Sequence, residues 1–439
     1  MRRRVLKYLI HQQRMAEIVT DRVRPKGPSW RPGTLIQNAI ALMISSGGSA
    51  MVGVVFWIVA ARLFTQSQLG RTSAEIAAMV LLSTLAQLSF GSIFERFLPV
   101  AGQLTHGFVK RAYLISTSFG LVLAILYLTL GFEHSFLPPS FGWRLYFVLS
   151  IVLWTIFALQ DSVLIGLRAS RWVAVENIAF GVAKLALLPI CFALTSTGGM
   201  FIAWTAPVVP SILAVSWYLF RRRIPEHAAK GVSTESLPSA RRLVLLASAQ
   251  YATLLSSIFL PSLVTLIVIQ RLGPVANAHY YLPSMIATNL GLFCWGIVRS
   301  FLVEASSERH ELRRHANSTI RALAVVLIPS VILGYLFAPD YLRLFGDAYA
   351  TQGTALMRML LISLLGSTVM SFYSAFAWLD ERVWWMTLRT TASSVVYIVM
   401  VYALIGRMGI NSIGVATLFY SATTLVIFLP ISIRRYRRT

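Results

Sequence analysis

Apolar runs of about 20 residues recur along nearly the whole of this 439-residue chain, and no other feature narrows its fold as much. A helix needs roughly 20 mostly apolar residues to cross the hydrocarbon core of a bilayer. Reading for such runs between polar punctuation predicts twelve spans, near 37–61, 73–95, 112–132, 146–165, 172–195, 200–220, 243–270, 282–303, 320–338, 355–378, 389–406 and 412–433. Only 13% of the residues are charged, against about a quarter in an ordinary soluble domain. The sequence predicts an all-α integral membrane protein.

Charge then sets the orientation. Of the 39 lysines and arginines, 29 fall in the two termini and in alternate loops once the N-terminus is placed inside, and positively charged loops stay in the cytoplasm. Both termini are therefore expected to be cytoplasmic, in the inner membrane. The net charge of +23 would suggest nucleic acid in a soluble protein. Here it sits in short loops, with no RNP, finger or helix-turn-helix pattern, and nucleic-acid binding is not expected. No compact apolar core precedes a small-residue cleavage site, so the first span is expected to act as the targeting signal.

The longest connector, RRRIPEHAAKGVSTESLPSARR (221–242), reads as a cytoplasmic linker between two halves of six spans, 34–220 and 243–433. An even number of spans per half makes the halves parallel repeats. Faint echoes agree: Arg62-Leu63 and Arg271-Leu272 close the first span of each half, and FLPVA (97–101) answers FLVEA (301–305). A basic segment, 1–33, precedes the first half; it reads equally as an interfacial helix or a disordered tail. Residues 434–439 form a basic cytoplasmic tail.

Several chemistries lack their residues. There is no HExxH, P-loop or nucleophile elbow, and all seven histidines fall outside the expected spans. Cys191 and Cys294 lie far apart in apolar runs and read as core thiols. The outer loops are short, and their acidic pair, Asp340 and Asp347, suits caps and turns better than a catalytic dyad. The expectation is a transporter, not an enzyme, with no cofactor and no metal.

Ionisable residues inside spans are costly and tend to mark a pathway. Arg96 and Arg299 occupy similar depths in the second span of each half, with Glu95 before one and Glu304 after the other. Converging on one anion such as a diphosphate, or snorkelling to lipid phosphates, accounts equally for the two arginines. Lys184 is the deepest charge. Glu176 and Asp161 lie near its depth and are open to three roles: neutralising Lys184, binding a coupling proton or sodium ion, or bridging to Arg168 and Arg171. Arg358, near the outer end of the tenth span, suits snorkelling but stays in the set of cavity cations. Four bases against Glu95, Asp161 and Glu176 make the interior net cationic, which favours an anionic cargo.

The stretch 38–99, with Ala61-Arg62-Leu63, the Leu69-Gly70 turn and Arg96, resembles the start of the bacterial polysaccharide biosynthesis membrane proteins. These are the oligosaccharide-lipid flippases of the multidrug/oligosaccharidyl-lipid/polysaccharide (MOP) exporter superfamily. A second patch, 342–366, is similar in its Phe345-Gly346, Tyr349 and Arg358. The resemblance implies two six-helix lobes around a central cavity. It also implies a transporter that flips a polyprenyl-diphosphate-linked oligosaccharide to the outer leaflet by alternating access, without ATP, for cell-envelope polysaccharide. Lipid-linked oligosaccharide, membrane lipids, glycan polymerase and glycosyltransferases would be its partners. A cation-coupled drug exporter of the same superfamily, an integral-membrane glycosyltransferase or acyltransferase, and a scaffold of the polysaccharide machinery are the competing readings.

Overall fold

Helix is the only way a single segment satisfies its backbone polar groups inside lipid without a closed barrel, and no strand occurs among the described residues. The computed structural model describes residues 51–132, 134–195, 198–229, 251, 260–307, 311–379 and 383–438. The N-terminal segment and most of the expected linker lie outside them. Ten helical stretches are long and apolar enough to span a membrane, and Met51–Leu63 is a shorter apolar helix. The exterior suits lipid: Leu194, Val325 and Val426 are 77%, 73% and 75% exposed, in a pattern that would be an aggregation hazard in water.

In the N-terminal half, α1 (Met51–Leu63) leads into α2 (Gln66–Ala86), α3 (Phe90–Ala101), α4 (Thr105–Thr129), α5 (Phe141–Gly166) and α6 (Ser170–Leu194). The short α7 (Gly199–Thr205), α8 (Val208–Tyr218) and α9 (Ile224–Ala229) complete its last span, carrying helix into the expected linker. The C-terminal half comprises α10 (Leu260–Ser307), α11 (Leu312–Leu336), the short α12 (Ala338–Arg343), α13 (Asp347–Leu379), α14 (Val383–Met408) and α15 (Asn411–Arg438).

Two features depart from the expected spans. First, α10 turns at Gly273, the single interruption of its helical backbone, where φ is +84°. That conformation suits glycine, and the Pro274 that follows is pre-set for a first helical turn. Val264 and Ala287 share one buried cluster, although a straight helix would hold them about 35 Å apart. The limbs therefore fold back on each other, and α10 contains both the end of the seventh expected span and the whole eighth. The equivalent turn between α1 and α2 uses other chemistry: Thr65 caps α2 and Gln68 returns the bond in a capping box.

Second, the second span is not one helix. Leu88 and Ser89 adopt left-handed backbone, φ +48° and +62°, splitting the run into α2 and α3. Neither is a residue that enters this region readily.

The halves meet where α2 crosses the second limb of α10. Gly70 lets the backbones touch: a Cβ there would collide with the carbonyl oxygen of Pro274. Asn277 then donates to the Gly70 carbonyl at 2.8 Å and to the Ser73 hydroxyl at 3.0 Å. Small residues with a polar tie are the usual means of helix association in lipid. At the same end, the Arg62 guanidinium donates across the halves to the carbonyls of Arg343 (2.6 Å) and Leu344 (3.0 Å). One buried cluster runs through both halves, from Phe56 and Leu69 to Leu282 and Phe301.

Gly70→Ala is expected to cost at least about 1–3 kcal/mol, as overpacking does, and to lower the melting temperature of the purified protein. Gly53→Ala, where an added Cβ meets no atom within 4 Å, is the control and should leave it unchanged or slightly raised.

Candidate functional site

Lys184 lies a little past the middle of α6, and packing closes over it: the residue is 6% exposed. Among the described residues it forms neither an ion pair nor a hydrogen bond; three rings surround it instead. Its Nζ lies 3.6 Å from the Trp204 ring centroid, 5.0 Å from Phe180 and 5.3 Å from Phe56. These rings come from α7, α6 and α1. Each desolvated cation–π contact is worth about 2 kcal/mol, which offsets part of the cost of burying an ammonium. The indole Nε1 of Trp204 is itself buried without an acceptor. Among the described residues, two donors without an acceptor therefore lie side by side within the apolar helices. An anionic oxygen is the chemical group that both lack.

This cage reaches the seam between the halves. Trp57 packs on Trp204 at 5.8 Å and, on its other side, meets Tyr281 of α10 at 4.7 Å. Separating α1 from α10 would open that contact.

The acids form a different cluster. Glu176 is buried and neither of its carboxylate oxygens has a hydrogen-bond partner. Asp161 accepts from Asn177 Nδ2 at 3.3 Å through one oxygen, and its other oxygen is unpartnered. The two carboxylates interact electrostatically, and both act on the Tyr113 hydroxyl, which is also unpartnered. Helices α4, α5 and α6 thus converge on a carboxylate pair. Neither acid forms an ion pair with Lys184, Arg168 or Arg171, so two of the three roles read from sequence have no contact behind them. Burying two carboxylates together is costly unless a proton or a cation neutralises them.

Arg96 and Glu95, on α3, are exposed, as is Arg299 near the end of α10. Arg96 lies over the Phe97 ring at 5.4 Å. Glu95 feels the Arg299 guanidinium across the halves without a direct ion pair. The structure therefore pairs Arg299 with Glu95 electrostatically, where sequence aligned it with Arg96. Arg358 stands apart: its Nε donates to the Tyr335 carbonyl at 3.0 Å and its guanidinium covers the Tyr335 ring, tying α13 to α11.

Two readings of the sequence need correction. His279 lies inside α10, 8% exposed and edge-on to the Tyr349 ring at 5.3 Å, because the helix begins directly after Gly273. Glu75, 2% exposed in α2, is a fourth intramembrane acid. It sat in a run already read as a span, by the same signal that marked Glu95. Four bases then face four acids, and the argument for an anionic cargo passes from net charge to Lys184. In the C-terminal half a cavity of about 490 Å³ has no charged lining residue; hydroxyls of Tyr280, Ser284, Thr288, Ser363, Tyr397 and Thr417 line it.

The family model described as "Polysaccharide biosynthesis protein" matches residues 35–303, more than half of the sequence. The chain belongs to this polysaccharide biosynthesis protein family. Solved structures similar to this family member include an inward-facing multidrug resistance MATE transporter of the MOP superfamily. It is 14% identical, with a TM-score of 0.62, over 89% of this chain and 95% of that one. A MATE structure in complex with MaL6 gives 12% identity and a TM-score of 0.61 over 90% and 94%. A MOP superfamily transporter from Pyrococcus furiosus Vc1, whose binding pocket is described as of reverse polarity suggesting a different function, gives 14% and 0.60 over 92% and 95%. At these identities the likeness establishes the fold, a multi-pass helical membrane protein of MOP architecture. No curated protein sequence matches the chain.

Lys184→Met places an apolar chain of similar length among the three rings and removes an ammonium without a counter-ion. Its unfolding temperature in detergent should be unchanged or raised, by analogy with buried ion pairs whose apolar replacement is neutral or stabilising by about 1–4 kcal/mol. A lowered temperature would make the lysine structural.

Proposed function

We propose that this protein is a transporter that carries a polyprenyl-diphosphate-linked oligosaccharide from the inner to the outer leaflet for cell-envelope polysaccharide synthesis. The observation that carries the reading is Lys184, a buried cation in an apolar helix with aromatic neighbours and no acid paired to it among the described residues. Such a group binds an anion that arrives and leaves, since a permanent carboxylate would compete with the cargo. The rings also offer faces on which sugars pack. Family membership supports the polysaccharide connection, and the MOP architecture supports transport by rearrangement of two halves around a cavity.

In this reading Arg96 and Arg299 meet the diphosphate near the cytoplasmic face, and Lys184 receives it when Trp57 parts from Tyr281. Arg358, engaged with Tyr335 toward the opposite end, has a structural part. Glu176 and Asp161 bind the proton or sodium ion that drives the cycle. The glycan's polymerase and glycosyltransferases would work on either side of this step. The protein would lie in the inner membrane with both termini cytoplasmic. A second reading, export of cationic drugs, takes its support from the same carboxylate pair, and the two differ at Lys184.

Protein reconstituted in vesicles with a fluorescent polyprenyl-diphosphate saccharide tests both. Lys184→Met is expected to slow transfer about 30-fold or more, the scale of removing one partner from a buried charge pair, with partial recovery in Lys184→Arg. Efflux of a cationic dye, undiminished in Lys184→Met and without saccharide transfer by the wild type, would replace the flippase with the drug exporter.

Glu176→Gln removes one of the two buried charges. Transfer driven by an imposed proton or sodium gradient should become insensitive to that gradient, while binding of the saccharide lipid persists. Retained gradient dependence would remove the acids from the coupling role.

A further inference from the structure

One groove belongs to neither the cage nor the seam. Helices α11, α13 and α15 leave between them an apolar cavity of about 670 Å³, bounded by residues such as Leu323, Leu327, Val369, Phe372 and Leu425. It opens on the outside of the C-terminal half: Ile320, Ile328 and Leu429 of its wall are 40–48% exposed. Along α11 it extends from Ile320 to Ile328, about 12 Å, which approaches the roughly 15 Å depth of a single leaflet's hydrocarbon.

The groove changes character at one end. The residue after Ile320 is Arg321, which with Arg314, Asn317 and Ser318 lines a polar cleft at the start of α11. Among the described residues, Arg314, itself exposed, is paired with the half-buried Glu311 at 2.8 Å. On the facing helix, α15 continues past Ile433 into the sequence Arg434-Arg435. The groove's own lining includes Ser432, next to Ile433 on α15, 6% exposed and with no hydrogen-bond partner for its hydroxyl. Cationic head, buried polar neck and apolar slot of one-leaflet length are thus all present.

We infer that this groove is a binding site for one anionic phospholipid of the leaflet on the basic side, its phosphate at Arg314 and Arg321, its ester region at Ser432 and an acyl chain between α11, α13 and α15. Charge complementarity selects the anionic headgroup, and the slot's length selects a phospholipid acyl chain over a polyprenyl chain, which is far longer than one leaflet is deep. The site stands independently of the transported substrate, since among the described residues none of the N-terminal half lines it.

Native mass spectrometry of the full-length protein, released from detergent with phosphatidylglycerol or phosphatidylcholine of identical acyl chains, tests the inference. The wild type should retain one phosphatidylglycerol at least about tenfold better than phosphatidylcholine, the scale set by two arginines near a lipid phosphate. Arg314→Gln with Arg321→Gln should abolish that preference. Ala324→Phe, which fills the groove without changing charge, should abolish retention, whereas Val325→Phe, on the outward face of the same helix, should not. Equal retention of the two lipids by the wild type would overturn the site. So would an Ala324→Phe protein that still holds phosphatidylglycerol, since attraction would then need no groove. Stoichiometric displacement of phosphatidylglycerol by a polyprenyl diphosphate would overturn the phospholipid assignment and give the groove to the transported lipid.

Discussion

Everything in this fold hangs on the place where α2 and α10 touch backbone to backbone. Lipid gives apolar helices little reason to prefer one another over acyl chains, so association must come from close packing and polar ties. Gly70 supplies the first and Asn277 the second. From that crossing follow the shared core of the two halves, the meeting of Trp57 with Tyr281 and the enclosure of the lysine behind it. Arg62 reinforces the crossing from the same end, donating to two carbonyls at the turn after α12.

The two ionisable centres of the N-terminal half follow opposite rules. Around Lys184 the protein supplies ring faces, whose attraction for a cation is real but weaker than a carboxylate's and leaves the ammonium able to take an anion. Around Glu176 and Asp161 it supplies little beyond Asn177, and two negative charges remain for something small and positive. Lys184 and Glu176 lie on the same helix, α6, about two turns apart, without neutralising each other. A chain selected for stability alone would have joined them. Their separation is the physical reason to assign a cargo to one and an ion to the other.

Much of this was legible in the sequence. Hydropathy located the apolar runs among the described residues, because lipid imposes length and composition directly, but helices such as α11 and α13 begin well before their expected spans, at Leu312 and Asp347. Lys184 and Glu176, singled out from their span, are both buried in the fold. The rest required three dimensions. Phe56 and Trp204 are far apart in sequence from Lys184 and from each other, and aromatic residues are so common in spans that none announces a cage. The break at Leu88–Ser89 has no sequence mark, since neither glycine nor proline occupies it. His279 was read as outside a span because Gly273 and Pro274 allow a far tighter turn than the polar residues around them suggested. Glu75 was simply visible, and a full inventory of charged residues in the second span would have found it.

That break gives the two halves unequal mechanics. The second limb of α10 keeps helical backbone from Pro274 through Arg299 to Ser307, with Pro283 inside it, so Arg299 and Asn277 belong to one continuous helix, about 33 Å apart. Its counterpart is jointed. Glu95 and Arg96 ride on a three-turn segment connected to α2 through two residues held in left-handed backbone, each at a cost of about 1–3 kcal/mol. Rotation at those two residues repositions α3 without disturbing the Gly70 crossing, whereas the same displacement of Arg299 requires bending a helix. The same layout thus works as a lever on one side and a hinge on the other.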